Sequence, residues 1–161
     1  MKRLLLIFFF LLNAAGLASA GNAVTIWAGV SVGGTINVGT PVYNSLNPTA
    51  GAVNVLVTTV NERCNSKAGY QVTLTSLNAA GSSQAVLKSN DSANADRVNY
   101  SLTYDNVNVT LVDGSAVVTD SNRKAPGNGV DKQVRITIPT VAYDYNADVY
   151  SDTLVFTLVA K

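Results

Sequence analysis

Apolar and polar residues alternate with a period of two in one segment after another along this chain. Clusters of Gly, Asn, Asp and Ser separate these segments at short intervals. A period of two places apolar side chains on one face of a β-strand, and the polar breaks are typical of turns between short strands. The pattern therefore predicts an all-β fold, an antiparallel sandwich rather than a closed barrel, with almost no helix.

The alternation also predicts strand positions and faces. The predicted strands are Ala23–Val32, Gly34–Val38, Ala52–Asn61, Tyr70–Ser76, Ala85–Lys88, Asn99–Tyr104, Val107–Val112, Val134–Ile138 and Val149–Val159. The inward faces are predicted to be formed by Val53, Val55 and Val57, by Tyr70, Val72 and Leu74, and by Val134, Ile136 and Ile138. The polar faces comprise Asn54 and Thr58, Gln71, Thr73 and Thr75, and Gln133, Arg135 and Thr137. Asp105-Asn106 is predicted to form a hairpin turn, and Pro139 to end its strand by removing a backbone donor.

The N-terminus carries the features of an export signal. Lys2 and Arg3 precede an apolar run from Leu4 to Leu12, and Ala18-Ser19-Ala20 matches a small-residue cleavage site. The run is too short to span a bilayer, so we expect residues 1–20 to be removed and the mature chain to begin at Gly21, without membrane insertion. The remainder has the length of one domain.

Charge argues against a nucleic-acid partner. Without Lys2 and Arg3 the 11 basic residues become 9, against 10 acidic residues, which gives a net charge of −1. The largest basic cluster, Arg123-Lys124, is too small to neutralise a row of phosphates.

The chain lacks most residues of catalytic and metal sites. It has no histidine, and Glu62 is its only glutamate, so triads, common zinc sites and most glycosidase pairs are excluded. Asp144, Asp148 and Asp152 are evenly spaced, but a four-residue spacing shares a face only in a helix, so we favour a structural role over calcium binding. We expect no enzymatic activity, no metal and no cofactor.

Cys64 is the only cysteine, so an internal disulfide is impossible. We expect a small buried side chain, with an intermolecular disulfide or a reactive thiol as the alternatives.

The first predicted strand after the signal has an unusually clean apolar face, formed by Val24, Ile26, Ala28, Val30 and Val32, and Gly33-Gly34 follows it. It is either the first strand of its own sandwich or a strand donated to a neighbouring copy. Burying the five side chains would contribute on the order of 8 to 12 kcal/mol as an upper estimate, which rivals the net stability of a domain.

The last predicted strand places Leu154, Phe156 and Leu158 on one face, with Val155 and Val159 on the other. A strand that is apolar on both faces suits the border of a groove, or equally the centre of an ordinary sandwich.

Several segments together resemble a known family. They are Glu62-Arg63-Cys64-Asn65, the run from Gly69 to Ser76, the run from Val98 to Tyr104, and the ending from Tyr150 to Leu158, which contains Tyr-Ser-Asp-Thr. In these segments the chain resembles the secreted spore coat U domain and the archaic (Csu-type) chaperone–usher pilins, over most of the mature length.

The resemblance implies an incomplete immunoglobulin-like sandwich that lacks its last strand, with residues 34–161 as the pilin-like domain and 21–33 as the donor segment. A periplasmic chaperone and an outer-membrane usher would assemble copies into a surface fibre by donor-strand exchange. Leu154, Phe156 and Leu158 would border the groove and contact the chaperone, while Val24, Ile26, Ala28, Val30 and Val32 would fill the groove of the next subunit. Many members of this family have a disulfide that joins an early strand to the cysteine after the second strand. Cys64 has no partner in this chain, so that disulfide cannot be carried over. The alternative is a self-contained secreted sandwich that serves as a coat or adhesion module.

Overall fold

The computed structural model describes residues 28–41, 46–140 and 145–161. Of these, residues 28–31 belong to one unit and Val32–Lys161 to a second. The strands of the second unit build an antiparallel sandwich, and the only helical element in the described part of the chain is a single 3-10 turn at Leu77–Ala79. The predicted all-β sandwich is confirmed.

The described residues contain ten strands. They are β1 (Gly34–Val38), β2 (Ala52–Cys64), β3 (Tyr70–Ser76), β4 (Ala85–Ser89), β5 (Arg97–Tyr104), β6 (Val107–Val109), β7 (Ser115–Ser121), β8 (Val130–Ile138), β9 (Tyr150–Ser151) and β10 (Leu154–Ala160). The larger sheet has the order β1-β2-β8-β5-β4-β9, with β6 also paired to β5, and the smaller sheet has the order β10-β3-β7.

The core lies between the two sheets. Val60, Val98 and Val134 reach it from the larger sheet and Leu74 from the smaller one, and each of these side chains is fully buried. The rings of Tyr104 on β5 and Phe156 on β10 also meet across the layers, 6.0 Å apart.

The predicted faces of β3 and β8 are confirmed. Tyr70, Val72 and Leu74 are buried, and so are Val134, Ile136 and Ile138, whereas the residues between them are partly or fully exposed. β8 ends at Ile138, directly before Pro139.

The predicted face of β2 is only partly confirmed. Val55 pairs with the buried Ile136, and Val57 packs against the core. Val53 is 82% exposed, whereas Thr58, expected on the polar side, is only 5% exposed. The pairing with β8 shifts register twice, and Asn54 has a positive φ of 51°. Because each β-bulge adds an unpaired residue, it exchanges the inward and outward positions beyond it.

The predicted turn at Asp105-Asn106 is confirmed. Tyr104 pairs with Val107, and φ is 50° at Asp105 and 66° at Asn106. Two positive φ angles are the requirement of a two-residue type I′ hairpin turn, which Asp and Asn tolerate.

Strand β7 was not predicted, and the strand predicted to run from Val107 to Val112 ends at Val109. The pairing of β7 with β3 shifts register between Val72 and Thr73. Val117 is exposed between Ala116 and Val118, which both contact the core, but the hydroxyl of the next residue, Thr119, also points inward to the Glu62 carboxylate. The bulge breaks the period of two that sequence reasoning depends on.

The strand predicted as Val149–Val159 is two strands in different sheets. β9 pairs with β4 in the larger sheet, and β10 pairs with β3 in the smaller one. The chain crosses at Asp152, whose carboxylate accepts hydrogen bonds from the hydroxyls of Ser76 and Tyr100 and from the backbone N–H of Asn78. This carboxylate connects the two sheets at the crossing.

Candidate functional site: the groove between β1 and β10

Strand β10 has an open edge. Among the described residues it pairs only with β3. The N–H of Leu77 bonds to the C=O of Thr153, and the N–H of Lys161 bonds to the C=O of Gly69, so the odd-numbered residues of β10 face β3. The backbone groups of Leu154, Phe156 and Leu158 therefore point the other way.

Strand β1 has a matching open edge. It pairs with β2 alone within the described part of the chain. Hydrogen bonds between Gly39 and Thr59 and between Asn65 and Gly33 continue this ladder at both ends. The odd-numbered residues face β2, so the backbone groups of Gly34, Ile36 and Val38 face away from it.

These two edges flank one groove, which we call the β1/β10 groove. A Cβ atom on Gly34 would clash with Cδ2 of Leu158, so the strands meet at that end. At the other end they diverge around a cleft of about 320 Å³. Its apolar lining includes Val38, Leu46, Val57, Leu87, Leu154 and Phe156. The start of β1 lies at the end of β10, so the two strands run in opposite directions.

The inward side chains of β10 are less covered than those of its partner strand. Leu154, Phe156 and Leu158 pack against the core but are only half-buried. The residues that pair with them on β3, among them Val72 and Leu74, are fully buried. The predicted alternation of β10 is confirmed, and among the described strands β10 lies at a sheet edge rather than at the centre.

The predicted N-terminal strand falls partly outside the described residues, which begin at Ala28, so Val24 and Ile26 have no structural account. The described remainder, 28–33, is not a strand of its own chain. Val30 is 88% exposed and Val32 is 65% exposed. Asn65 holds Gly33 through two hydrogen bonds, from the Asn65 N–H to the Gly33 C=O at 3.1 Å and from the Gly33 N–H to the Asn65 side chain at 2.7 Å.

Cys64 lies at the closed end of the groove. It is 2% exposed and is a free thiol, so its predicted burial is confirmed. It pairs in register with Gly34, and its Sγ lies 3.6 Å from a Cβ placed there.

Glu62 is fully buried between the sheets. Its carboxylate accepts hydrogen bonds from the hydroxyls of Tyr70 at 3.0 Å, Tyr104 at 2.6 Å and Thr119 at 2.7 Å. Burial first, and the Glu62 carboxylate second, raise the pKa of Tyr70 to about 12 and also raise the pKa of Tyr104. Three hydroxyls from strands of both sheets thus donate to the Glu62 carboxylate. This arrangement indicates that Glu62 has a structural role and connects the two sheets.

The evenly spaced aspartates do not converge. Asp144 lies outside the described residues, and Asp152 holds the crossing between the sheets. Asp148 binds the side chains of Ser89 and Asn94, and the hydrogen bond from Ser89 lowers its pKa. No group of three or more His, Cys, Asp or Glu side chains in the described residues is placed to hold a metal ion.

Comparison with known proteins adds no assignment, since neither a family model nor a curated protein sequence matches this chain. No helix in the described residues is both long and apolar enough to cross a membrane.

Sequence reasoning found one side of the groove and missed the other. Leu154, Phe156 and Leu158 were singled out by their alternation on the final strand. Val38, at the open end, gave no signal, because its role depends on β1 lying beside β10. The two strands belong to different sheets, so their contact depends on how the sheets pack and not on a local sequence pattern.

Proposed function

We propose that this protein is a structural subunit of a secreted surface fibre. In this proposal the alternating segment from Val24 to Val32 of one copy enters the β1/β10 groove of the next and adds a strand there. The observation that carries the proposal is the pair of open strand edges beside the half-buried side chains of β10, in a chain that also exposes Val30 and Val32.

An added strand would gain from both main-chain and side-chain contacts. Each hydrogen bond to the open edges contributes about 0.5–1.5 kcal/mol, and each large apolar side chain that becomes buried contributes about 1.5–3 kcal/mol. Backbone bonds supply affinity in this mode of recognition, and alternate side chains supply register.

Entry requires β1 to move away from β10. Neighbouring strands lie about 4.8 Å apart, so an intervening strand needs roughly twice that separation. The contact between Gly34 and Leu158 must therefore break. This requirement favours assisted assembly, for which we propose a periplasmic chaperone that covers Leu154, Phe156 and Leu158, an outer-membrane usher, and a final location in a cell-surface fimbrium.

Mixing two complementary variants tests the proposal. One lacks residues 21–33 and keeps its groove, and the other carries Phe156→Glu and keeps its donor segment. Neither should polymerise alone, but together they should form heterodimers in size-exclusion chromatography with light scattering. Val155→Glu is the matched control, because Val155 lies on the opposite face of β10 and is 41% exposed, so this variant should polymerise.

Two results would refute the proposal. One is polymer formation by the chain that lacks residues 21–33. The other is an unmodified protein that stays monomeric at all concentrations and keeps its stability after that deletion, as expected for the self-contained coat or adhesion module.

A further inference from the structure

The donor segment and β1 share one phase of alternation. Ala28, Val30 and Val32 are even-numbered, and so are Ile36 and Val38. Ile36 points into the sandwich, where it contacts both core clusters, and Val38 lines the groove. Because side chains two residues apart share a face, an extended chain would carry all five on the same side.

This phase opposes insertion of the segment into its own groove. Gly33-Gly34 is a typical two-residue hairpin turn, and it would fold the segment back along the open edge of β1. Such a turn pairs Val32 with Thr35 and Val30 with Asn37. The backbone groups of these odd-numbered residues of β1 already face β2, so the segment would also lack hydrogen-bond partners in this register. Thr35 and Asn37 are exposed, and directly paired residues share a face, so both valines would point to solvent.

The hydrogen bonds between Gly33 and Asn65 also oppose insertion of the segment into its own groove. The bond from the Asn65 N–H to the Gly33 C=O extends the β1–β2 ladder by one residue beyond Gly34, and the Gly33 N–H donates to the Asn65 side chain. A three-residue turn over Val32, Gly33 and Gly34 would restore the correct face, but it would break these bonds and remove Gly34 from its pairing with Cys64.

A barrier to self-insertion is needed because the segment of the same chain competes for the groove with the segments of other copies. A segment on a short linker reaches its own groove at an effective concentration near the millimolar range, about a thousandfold above a micromolar solution of other copies. An in-phase donor would therefore fill its own groove and end assembly.

We infer that the shared phase of residues 28–38, together with the clamp of Asn65 on Gly33, reserves the β1/β10 groove for the donor segment of a second copy. This inference rests on the proposed function. It assigns Asn65 a positioning role, and it makes the number of residues between Val32 and Ile36 the determinant of assembly.

Inserting one Asn between Val32 and Gly33 tests the inference. An Asn-Gly turn then pairs Val32 with Gly34 and Val30 with Ile36, which brings the valines to the groove side. At micromolar protein we expect polymer to fall by about a thousandfold in favour of a monomer with a higher midpoint of thermal unfolding. Inserting Asn-Gly at the same place is the control, because two residues restore the original phase and polymer should persist.

Deletion of Gly33 provides a second variant should the insertion not fold. A turn at Gly34-Thr35 then pairs Val32 with Ile36, so a monomer is again expected. If the unmodified chain polymerises and a folded single-residue variant polymerises equally well, the inference is overturned while the proposed function stands. If the unmodified chain stays monomeric at all concentrations and keeps its stability after deletion of residues 21–33, both are overturned.

Discussion

Removing the carboxylate of Glu62 should destabilise the sandwich far more than removing any one of its partners. Glu62→Ala leaves the hydroxyls of Tyr70, Tyr104 and Thr119 without their acceptor. A buried polar group that loses its partner costs about 1–3 kcal/mol, and we expect a total loss of about 3–6 kcal/mol. Domains are stable by only about 5–15 kcal/mol, so this is a large fraction.

The conservative variants should rank in a definite order. Glu62→Gln keeps an oxygen for the two bonds that Oε1 accepts from Tyr104 and Thr119, and changes only the atom that faces Tyr70. Tyr70→Phe removes that same bond from the other side. Each should cost about 1–2 kcal/mol, and the double variant should cost less than their sum.

Urea unfolding followed by circular dichroism measures these differences. All variants are compared at one protein concentration, since association shifts apparent stability. Midpoints report stability only between variants whose unfolding free energy depends equally steeply on urea concentration. The reasoning fails if Glu62→Ala loses no more than Tyr70→Phe, or if the two conservative changes add fully.

Three further results are expected. Gly34→Cys should form a disulfide with Cys64 once the end of the Leu158 side chain shifts aside, because positions 34 and 64 pair in register; the disulfide is detected as protection from alkylation, and two free thiols after oxidation would contradict that pairing. Stability should fall as pH rises from about 10 towards 12, because the raised pKa values of Tyr70, Tyr100 and Tyr104 let the unfolded chain lose protons first; Tyr70→Phe should make the plot of stability against pH less steep over this range, and an unchanged slope would refute the assignment. Gly69→Ala should destabilise the fold strongly, since φ is 98° and the new Cβ would clash with the backbone oxygen of Ser121; an unfolding midpoint like that of the unmodified chain would show that the turn relaxes.

The accuracy of the sequence predictions follows from how regular each strand is. β3 and β8 alternate strictly over the predicted positions, and their buried residues were correctly placed. In β2 the two register shifts turned Val53 outward and Thr58 inward, and no residue near Val53 signals them because Asn is common in this chain.

The groove itself depends on long-range order. Leu154, Phe156 and Leu158 could be recognised as one face, but their partial exposure results from β10 lying at an edge beside β1. Asp152 likewise has its role only because Tyr100 and Ser76, distant in sequence, meet at the same place. The local alternation of apolar and polar residues carries no information about contacts between residues that are distant in sequence.

The crossing at Asp152 also has a mechanical consequence. A pull along the axis of β10 loads all its backbone bonds to β3 in shear, so they must fail together rather than one after another. At the Leu154 end the same load passes through the Asp152 carboxylate to Tyr100 in the opposite layer. Both layers would then bear the tension, and Asp152→Ala should lower the rupture force measured by single-molecule stretching.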